Sequence, residues 1–358
     1  MPNDQANNAV HEQRVRASWR TRACAAGWCV GTQVFLAGCA VGMPLAQNGV
    51  WIASLAALPF AAWLTVRCRR RLCAQDKPDQ LLRVGYGLLA ITLLGCGAFA
   101  AMSLAGFAAQ TLVEQSRTIW TAATALLAVL GCAASGGMGA ARLCFALRYV
   151  IPALVLGLSL TAVPMRVPIG LFPILGAGAG SLGLAALSML FGAVPALMLM
   201  LPESAQKEGA PNTAVPEQGF FLMRVLMGAL VGFALLFLTN ACTTYESIAE
   251  NAAWGARLRM AVGNQPHEGI VEMILILAKL FAMLMLAVNM VCAAQQAWGI
   301  AMTNGRGNGL GWLVMALLMT ACLALAEVYG DGPVLTIAPL LAVSAAASAL
   351  ILGRRRSG

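Results

Sequence analysis

Charge is what this sequence lacks most. Only 10% of its 358 residues are Asp, Glu, Lys or Arg, against roughly 25% in a soluble globular domain. With 60% hydrophobic residues and a mean hydropathy of +0.78, a water-facing surface cannot be built, so an ordinary soluble domain is excluded and a membrane protein is implied. Histidine is scarcer still, with two in the whole chain. There is no HExxH, GxSxG or Walker A pattern and no paired acidic motif, so no enzyme is expected. The eleven cysteines form no CxxC pair, and their number is odd. Cys24, Cys29, Cys39, Cys96, Cys132, Cys144, Cys242, Cys292 and Cys322 fall in or beside apolar runs, while Cys68 and Cys73 lie in a loop assigned below to the reducing cytoplasm. A disulfide framework and a zinc site are therefore not expected, and the cysteines read as small apolar packing residues.

What is present is a series of long uncharged runs. The first covers the 44 residues between Arg22 and Arg67, and others cover 84–113, 118–141, 149–165, 167–202, 225–245, 307–326 and 332–353. A bilayer span needs roughly 20 apolar residues at 1.5 Å rise. The first run holds two spans, and a further one from 269 to 298 is interrupted only by Lys279. The expected spans are 24–46, 49–66, 84–111, 118–139, 143–163, 176–201, 219–242, 269–298, 309–329 and 333–353. Strands of an outer-membrane barrel would be about ten residues long with alternating polarity. The expectation is thus an all-α polytopic membrane protein of ten helices, since a helix satisfies its backbone within one segment. Residues 1–23 form an N-terminal tail, 24–353 the transmembrane domain and 354–358 a C-terminal tail. No cleavable signal peptide is evident, so the first span is expected to serve as its own insertion signal.

Basic residues orient the spans, because positively charged loops are retained in the cytoplasm. With both termini inside, eighteen of the 23 Lys and Arg residues are cytoplasmic and four (Arg117, Arg166, Arg257, Arg259) are outside, with Lys279 within a span. Topology thereby accounts for the net charge of +9. The basic residues are scattered over membrane-flanking loops, so no nucleic-acid partner is expected. The Pro- and Glu-containing stretch 202–218 reads as a flexible cytoplasmic connector. The outer stretch 243–269, with Glu246, Glu250, Trp254, Arg257, Arg259, His267 and Glu268, reads as a surface helix or a gate.

Ten spans divide into five plus five of opposite topology, a common transporter plan in which the first helix of each half is broken to bind ligand. Span one contains Gly27, Gly31, Gly38, Gly42 and Pro44, with Thr32 and Gln33 beside Gly31. Span six contains Gly176, Gly178, Gly180, Gly183, Gly192 and Pro195, with Ser181 and Ser188. Two readings are open: broken helices, or close helix packing, which also favours small residues. Lys279 costs at least about 2.5–3.5 kcal/mol inside a bilayer unless it faces a cavity, meets an acid, loses its proton or snorkels. Glu272 precedes it by seven residues, two turns or about 10.5 Å along the axis. It is either a surface anchor or one wall of a wet vestibule. Arg142 and Arg148 sit where spans four and five join, as topological charges or as an inner gate. His267 is a solvated residue or a pH sensor. Ser103, Asn289, Gln295 and Gln296 either line a cavity or bond other helices.

Several segments, taken in order, resemble the B subunits of bacterial spore germinant receptors, the spore-permease branch of the amino acid/polyamine/organocation (APC) superfamily. GTQVFLAGCAVGMP (31–44) and NGVWIASL (48–55) are similar to its first helix, short turn and tryptophan-led second helix. SGGMGAARLCFALRYVIP (135–152) is similar to its glycine-to-arginine junction, with Arg142 at the arginine position. GLFPILGAGAGSLGLAALSMLFGAVPALMLMLP (170–202) looks like its sixth helix, and EGIVEMILILAKLFAMLMLAVNMV (268–291) its eighth, with Glu272 at an acidic position. The resemblance covers about residues 24–350; Gly139, Ile270 and Lys279 depart from its usual acidic, basic and aromatic residues.

The resemblance implies a five-plus-five inverted-repeat fold of the LeuT-like kind and a pocket for a small zwitterion, of amino-acid type, between helices one, three, six and eight. Backbone near Gly31, Thr32 and Gln33 would meet the ligand's carboxylate and amine. Ser188, Phe191 and Gly192 would shape the opposite wall, with Ser103 also lining the site. Lys279, with Glu272, would set the local charge in place of sodium, and Arg142 would form the inner gate. No metal and no cofactor are expected. The implied partners are a larger membrane subunit and a lipoprotein, in the inner membrane of the spore, where a bound nutrient triggers germination. The competing expectation is a proton-coupled amino acid transporter of the vegetative cell membrane. A scaffold that only assembles the other subunits is a third.

Overall fold

The computed structural model describes residues 20–32, 34, 35, 49–57, 59, 63, 80–111, 127–131, 133, 137–146, 178–198, 218–241, 268–302, 317 and 347. They are almost wholly helical: α1 (20–32), α2 (50–57), α3 (Gln80–Thr111), α4 (127–131), α5 (Gly137–Ala146), α6 (Ala179–Met198), α7 (Gln218–Ala241) and α8 (Glu268–Ala301). These fall on expected spans one to four and six to eight, with α5 across the boundary of four and five. Apart from 143–146, 317 and 347, spans five, nine and ten lie outside the described residues, as do residues 1–19 of the N-terminal tail, the C-terminal tail, the connector up to 217 and the outer loop up to 267; residues 20–23, expected as tail, are already helical in α1.

The longest helices form the centre. α3 has 32 residues and α8 has 34, about 48 and 51 Å at 1.5 Å per residue, both longer than a hydrocarbon core of about 30 Å. They make the most extensive helix contact among the described elements. Tyr86, Leu89, Ala90, Leu93, Leu94, Ala98 and Ala101 of α3 recur at helical spacing and share one buried core with Met283, Leu286, Met290 and Ala294 of α8. A methyl added at Gly97 would lie 3.3 Å from the Met290 Cβ, so the two backbones approach closely where glycine permits it. Gln80–Met102 is, among the described residues, a stretch long and apolar enough to cross a membrane. Large apolar side chains also point outward, including Ile91 on α3, Leu184 and Leu187 on α6, and Met223, Met227 and Leu230 on α7. Outward leucine and methionine cost nothing against lipid tails.

α1 is enclosed on two sides. Ala23, Ala26, Val30 and Val34 pack against Val225 and Ala229 of α7, with Phe233 alongside. Ala25, Cys29 and Phe35 join the core built on α3 and α8. Methyl groups built on Gly27 and Gly31 would overlap the backbone of Arg224 and Gly228, and methyls on Gly228 and Gly232 would overlap that of Gly27 and Gly31. Two Gly-x-x-x-Gly pairs thus face each other, and the helices touch backbone to backbone. Trp51 of α2 meets Phe237 of α7 edge to face at 5.7 Å.

One expectation is corrected, and two open choices are narrowed. Span six, where a broken helix and close packing were both open, is one helix from Ala179 to Met198, through Gly180, Gly183, Gly192 and Pro195. Pro195 falls near its end, where one missing N–H perturbs little of the ladder. The irregular residue is Gly178 (φ 83°), just before the helix, whose carbonyl accepts from the Leu182 N–H at 3.2 Å. α1 is likewise helical through Gly31 and Thr32; its glycines serve the α7 contact, and the later glycines and Pro44 lie outside the described residues. The junction expected around Arg142 is instead helix α5, because Ala140 and Ala141 are strong helix formers and nothing before Ala146 breaks the chain.

Candidate functional site

Among the described residues, the buried polar side chains are those of Arg22, Thr32, Ser54, Thr92 and Asn289, each positioned by helix register. Thr32, on the last described turn of continuous α1, is buried, and its hydroxyl donates to the Trp28 carbonyl at 2.7 Å. That back-bond commits the proton but leaves oxygen lone pairs able to accept. Thr92 on α3 bonds the Leu88 carbonyl at 2.8 Å in the same way, and Ser54 on α2 bonds the Trp51 carbonyl at 2.7 Å.

Asn289 is 1% exposed in the middle of α8. Its Nδ2 donates to Cys144 Sγ of α5 at 3.4 Å, while its Oδ1 is buried without a partner. Of the two roles open to it in the sequence, it fills the bonding of another helix. Cys144 Sγ also lies 3.7 Å from Met285 Sδ, and Cys24 Sγ of α1 lies 3.9 Å from the Cys144 carbonyl. Cys292 Sγ approaches the Ala133 carbonyl at 3.9 Å. Cys29 of α1 is buried in the same core as Cys144 and Cys292. Of the cysteines that read as packing residues, Cys24, Cys29, Cys144 and Cys292 are buried where α1, α5 and α8 meet and Cys96 is half-buried; Cys39, Cys132, Cys242 and Cys322 lie outside the described residues.

Of the residues expected to bind ligand, Gly31 and Thr32 are on the enclosed α1, and Gln33 lies outside the described residues. Ser103 is on α3; Ser188, Phe191 and Gly192 are on α6; Glu272 and Lys279 are on α8. For these six the backbone alone is described. α3, α6 and α8 touch one another, and α1 joins α3 and α8 through the shared core. Backbone register places 272 and 279 on the face of α8 that carries Met283, Leu286 and Met290, all buried. Arg142 is exposed on α5. Gln295 and Gln296 are half-buried near the end of α8. Among the described residues no three His, Cys, Asp or Glu side chains converge as a metal-binding group. Gly228 and Gly232 were not among the expected site residues, although their four-residue spacing, the same as that of Gly27 and Gly31, is visible in the sequence.

Compared with protein-family models and with curated protein sequences, the chain has no match. Solved structures do match. The manganese transporter of Eremococcus coleocola, in complex with an aromatic bis-isothiourea substituted compound, superposes with a TM-score of 0.57 at 14% identity, over 93% of this chain and 76% of that one. Two variants of the same transporter match with TM-scores of 0.55 and 0.54, each at 15% identity, over 93% and 94% of this chain and 77% and 76% of theirs. At such low identity the likeness shows the fold: the chain has the all-α fold of a membrane transporter. These neighbours are transporters and not enzymes, in keeping with the missing catalytic motifs.

Proposed function

We propose that the protein recognises a small zwitterionic solute of amino-acid type between α1, α3, α6 and α8, as the permease-like membrane subunit of a spore germinant receptor. The observation that carries this reading is the chemistry of α1. Within a transporter fold it is buried from Ala23 to Thr32 except at half-buried Trp28, and beyond the buried Arg22 at its start it carries no carboxylate, histidine, lysine or arginine as far as Thr32. A divalent ion such as the manganese of the structural neighbours needs several oxygen or nitrogen donors and compensating charge, and no such group converges among the described residues. A net-neutral solute needs no counter-charge. Thr32, with its proton on Trp28, would accept from the solute's ammonium group, and free backbone N–H groups farther along span one would meet the carboxylate. Lys279 would hold the positive charge that makes sodium unnecessary, and Glu272 would lie toward the outer entrance. Binding would shift a conformational equilibrium by its differential affinity for one state. A larger membrane subunit and a lipoprotein in the inner spore membrane would read the shift, with Arg142 at the inner gate and both termini in the cytoplasm.

The neighbours' transporter activity favours a second reading, proton-coupled amino acid uptake across the vegetative cell membrane within the same five-plus-five architecture. Reconstitution separates the two. Individual amino acids are titrated against the purified full chain by tryptophan fluorescence, and uptake is followed in proteoliposomes under a pH gradient. The sensor predicts saturable binding without concentrative uptake, weakened about tenfold, or ~1.4 kcal/mol, in Thr32→Val and in Lys279→Met. Accumulation against a gradient establishes the transporter instead, and no saturable response to any amino acid removes both. Gly31 is unsuitable as a test position, because any side chain there pushes α1 off α7.

A further inference from the structure

The meeting point of α1, α5 and α8 contains more sulfur than packing requires and one polar side chain that packing does not explain. Cys144 is its hub, with Met285 Sδ at 3.7 Å and Asn289 Nδ2 at 3.4 Å from its Sγ. Cys29, on α1, is buried in the same core. All four residues are buried, and Cys29 and Cys144 are free thiols. An asparagine in an apolar core is expensive unless both ends of its amide are bonded, at about 1–3 kcal/mol for an end left over. Here one end faces Cys144 and the other, Oδ1, has no partner. Whichever way the amide is turned, one donor or acceptor is left beside two thiols and a thioether.

From this juxtaposition we infer a binding site for a soft monovalent cation of the copper(I) or silver(I) class, held by Cys144 and Met285, with Cys29 as a third sulfur donor and the Asn289 amide in its outer shell. The reasoning is one of softness, spacing and charge. Thiolate and thioether ligands select copper(I) over hard ions. Two sulfurs 3.7 Å apart can share one ion at metal–sulfur bonds of about 2.3 Å, the length typical of thiolate–metal bonds in proteins. When the ion binds, the Cys144 S–H proton leaves to solvent and a sulfur–metal bond replaces it. The metal keeps its oxidation state, and no electrons are transferred. With Cys29 kept as a neutral thiol donor, one Cys144 thiolate and one monovalent cation sum to zero, so the complex can sit in the low-dielectric core without a buried net charge. A divalent ion reaches neutrality there only if Cys29 also gives up its proton, and no third His, Cys, Asp or Glu side chain converges to complete its shell among the described residues. Because its donors come from α1, α5 and α8, the bound ion would tie these helices together and favour one conformation of the bundle. This site is independent of the amino-acid reading above.

The test uses the full chain in detergent under reducing conditions. Copper(I) is supplied from a competing chelator, and binding is read from thiolate-to-copper ultraviolet absorption and from the metal-to-protein ratio after desalting. One ion per chain is expected, with affinity at least ~10-fold weaker in Cys144→Ser and in Met285→Leu, and unchanged when Cys68 and Cys73 are both replaced by serine. Met285→Leu conserves volume and so keeps the result interpretable if Cys144→Ser unfolds. Failure to retain any ion overturns the inference, as does retention of full affinity in Met285→Leu or loss of the ion only in the loop double variant.

Discussion

At Gly27, Gly31, Gly228 and Gly232 the missing side chain sets the distance between α1 and α7, because a methyl at any of them would collide with the opposing backbone. Backbone cannot yield as a flexible side-chain tip can, so Gly228→Ala is expected to destabilise the protein by about 1–3 kcal/mol or more. A lowered thermal midpoint in detergent checks this, and an unchanged midpoint would mean that the two helices do not touch as described. The glycine spacing was legible in the sequence, but its meaning was not: glycine every fourth residue fits a broken helix as well as a close crossing. Only the second helix, brought alongside from two hundred residues away, distinguishes them. Asn289 behaves similarly. Its polarity within an apolar run is visible in the sequence, whereas its thiol partner, Cys144, is supplied by tertiary contact.

At the scale of the helix, α6 separates local propensity from function. It runs unbroken from Ala179 to Met198 despite three internal glycines and a proline, because within lipid each unsatisfied backbone group costs several kcal/mol. A methyl on Gly183 meets nothing within 4 Å. Gly183→Ala is therefore expected to stabilise the chain by roughly 0.5–1 kcal/mol, the opposite sign to Gly228→Ala, with the thermal midpoint rising. A fall would show that Gly183 has a close neighbour or an unwound backbone. The ends of α3, α7 and α8 fall within a few residues of those expected from hydropathy. α5 does not, because the charge of Arg142 ends the apolar run there, and a charged residue at a membrane surface need not end a helix.

For the whole molecule, eighteen basic residues on one side against four on the other predict that both termini are cytoplasmic. A fluorescent protein fused after Gly358 is expected to fluoresce, and alkaline phosphatase fused there to be inactive but active when inserted after Asn264. The reverse pattern would invert the topology. Composition and the spacing of charges by themselves determined that this is a helical membrane protein and roughly where its helices run, because the cost of burying charge and open backbone in lipid is local and readable residue by residue. The enclosure of α1 between α7 and the α3–α8 core, and the meeting of Cys144, Met285 and Asn289, were decided only by tertiary structure. Helix packing in lipid depends on which surfaces fit together, and residues far apart in the chain become neighbours only when those surfaces meet.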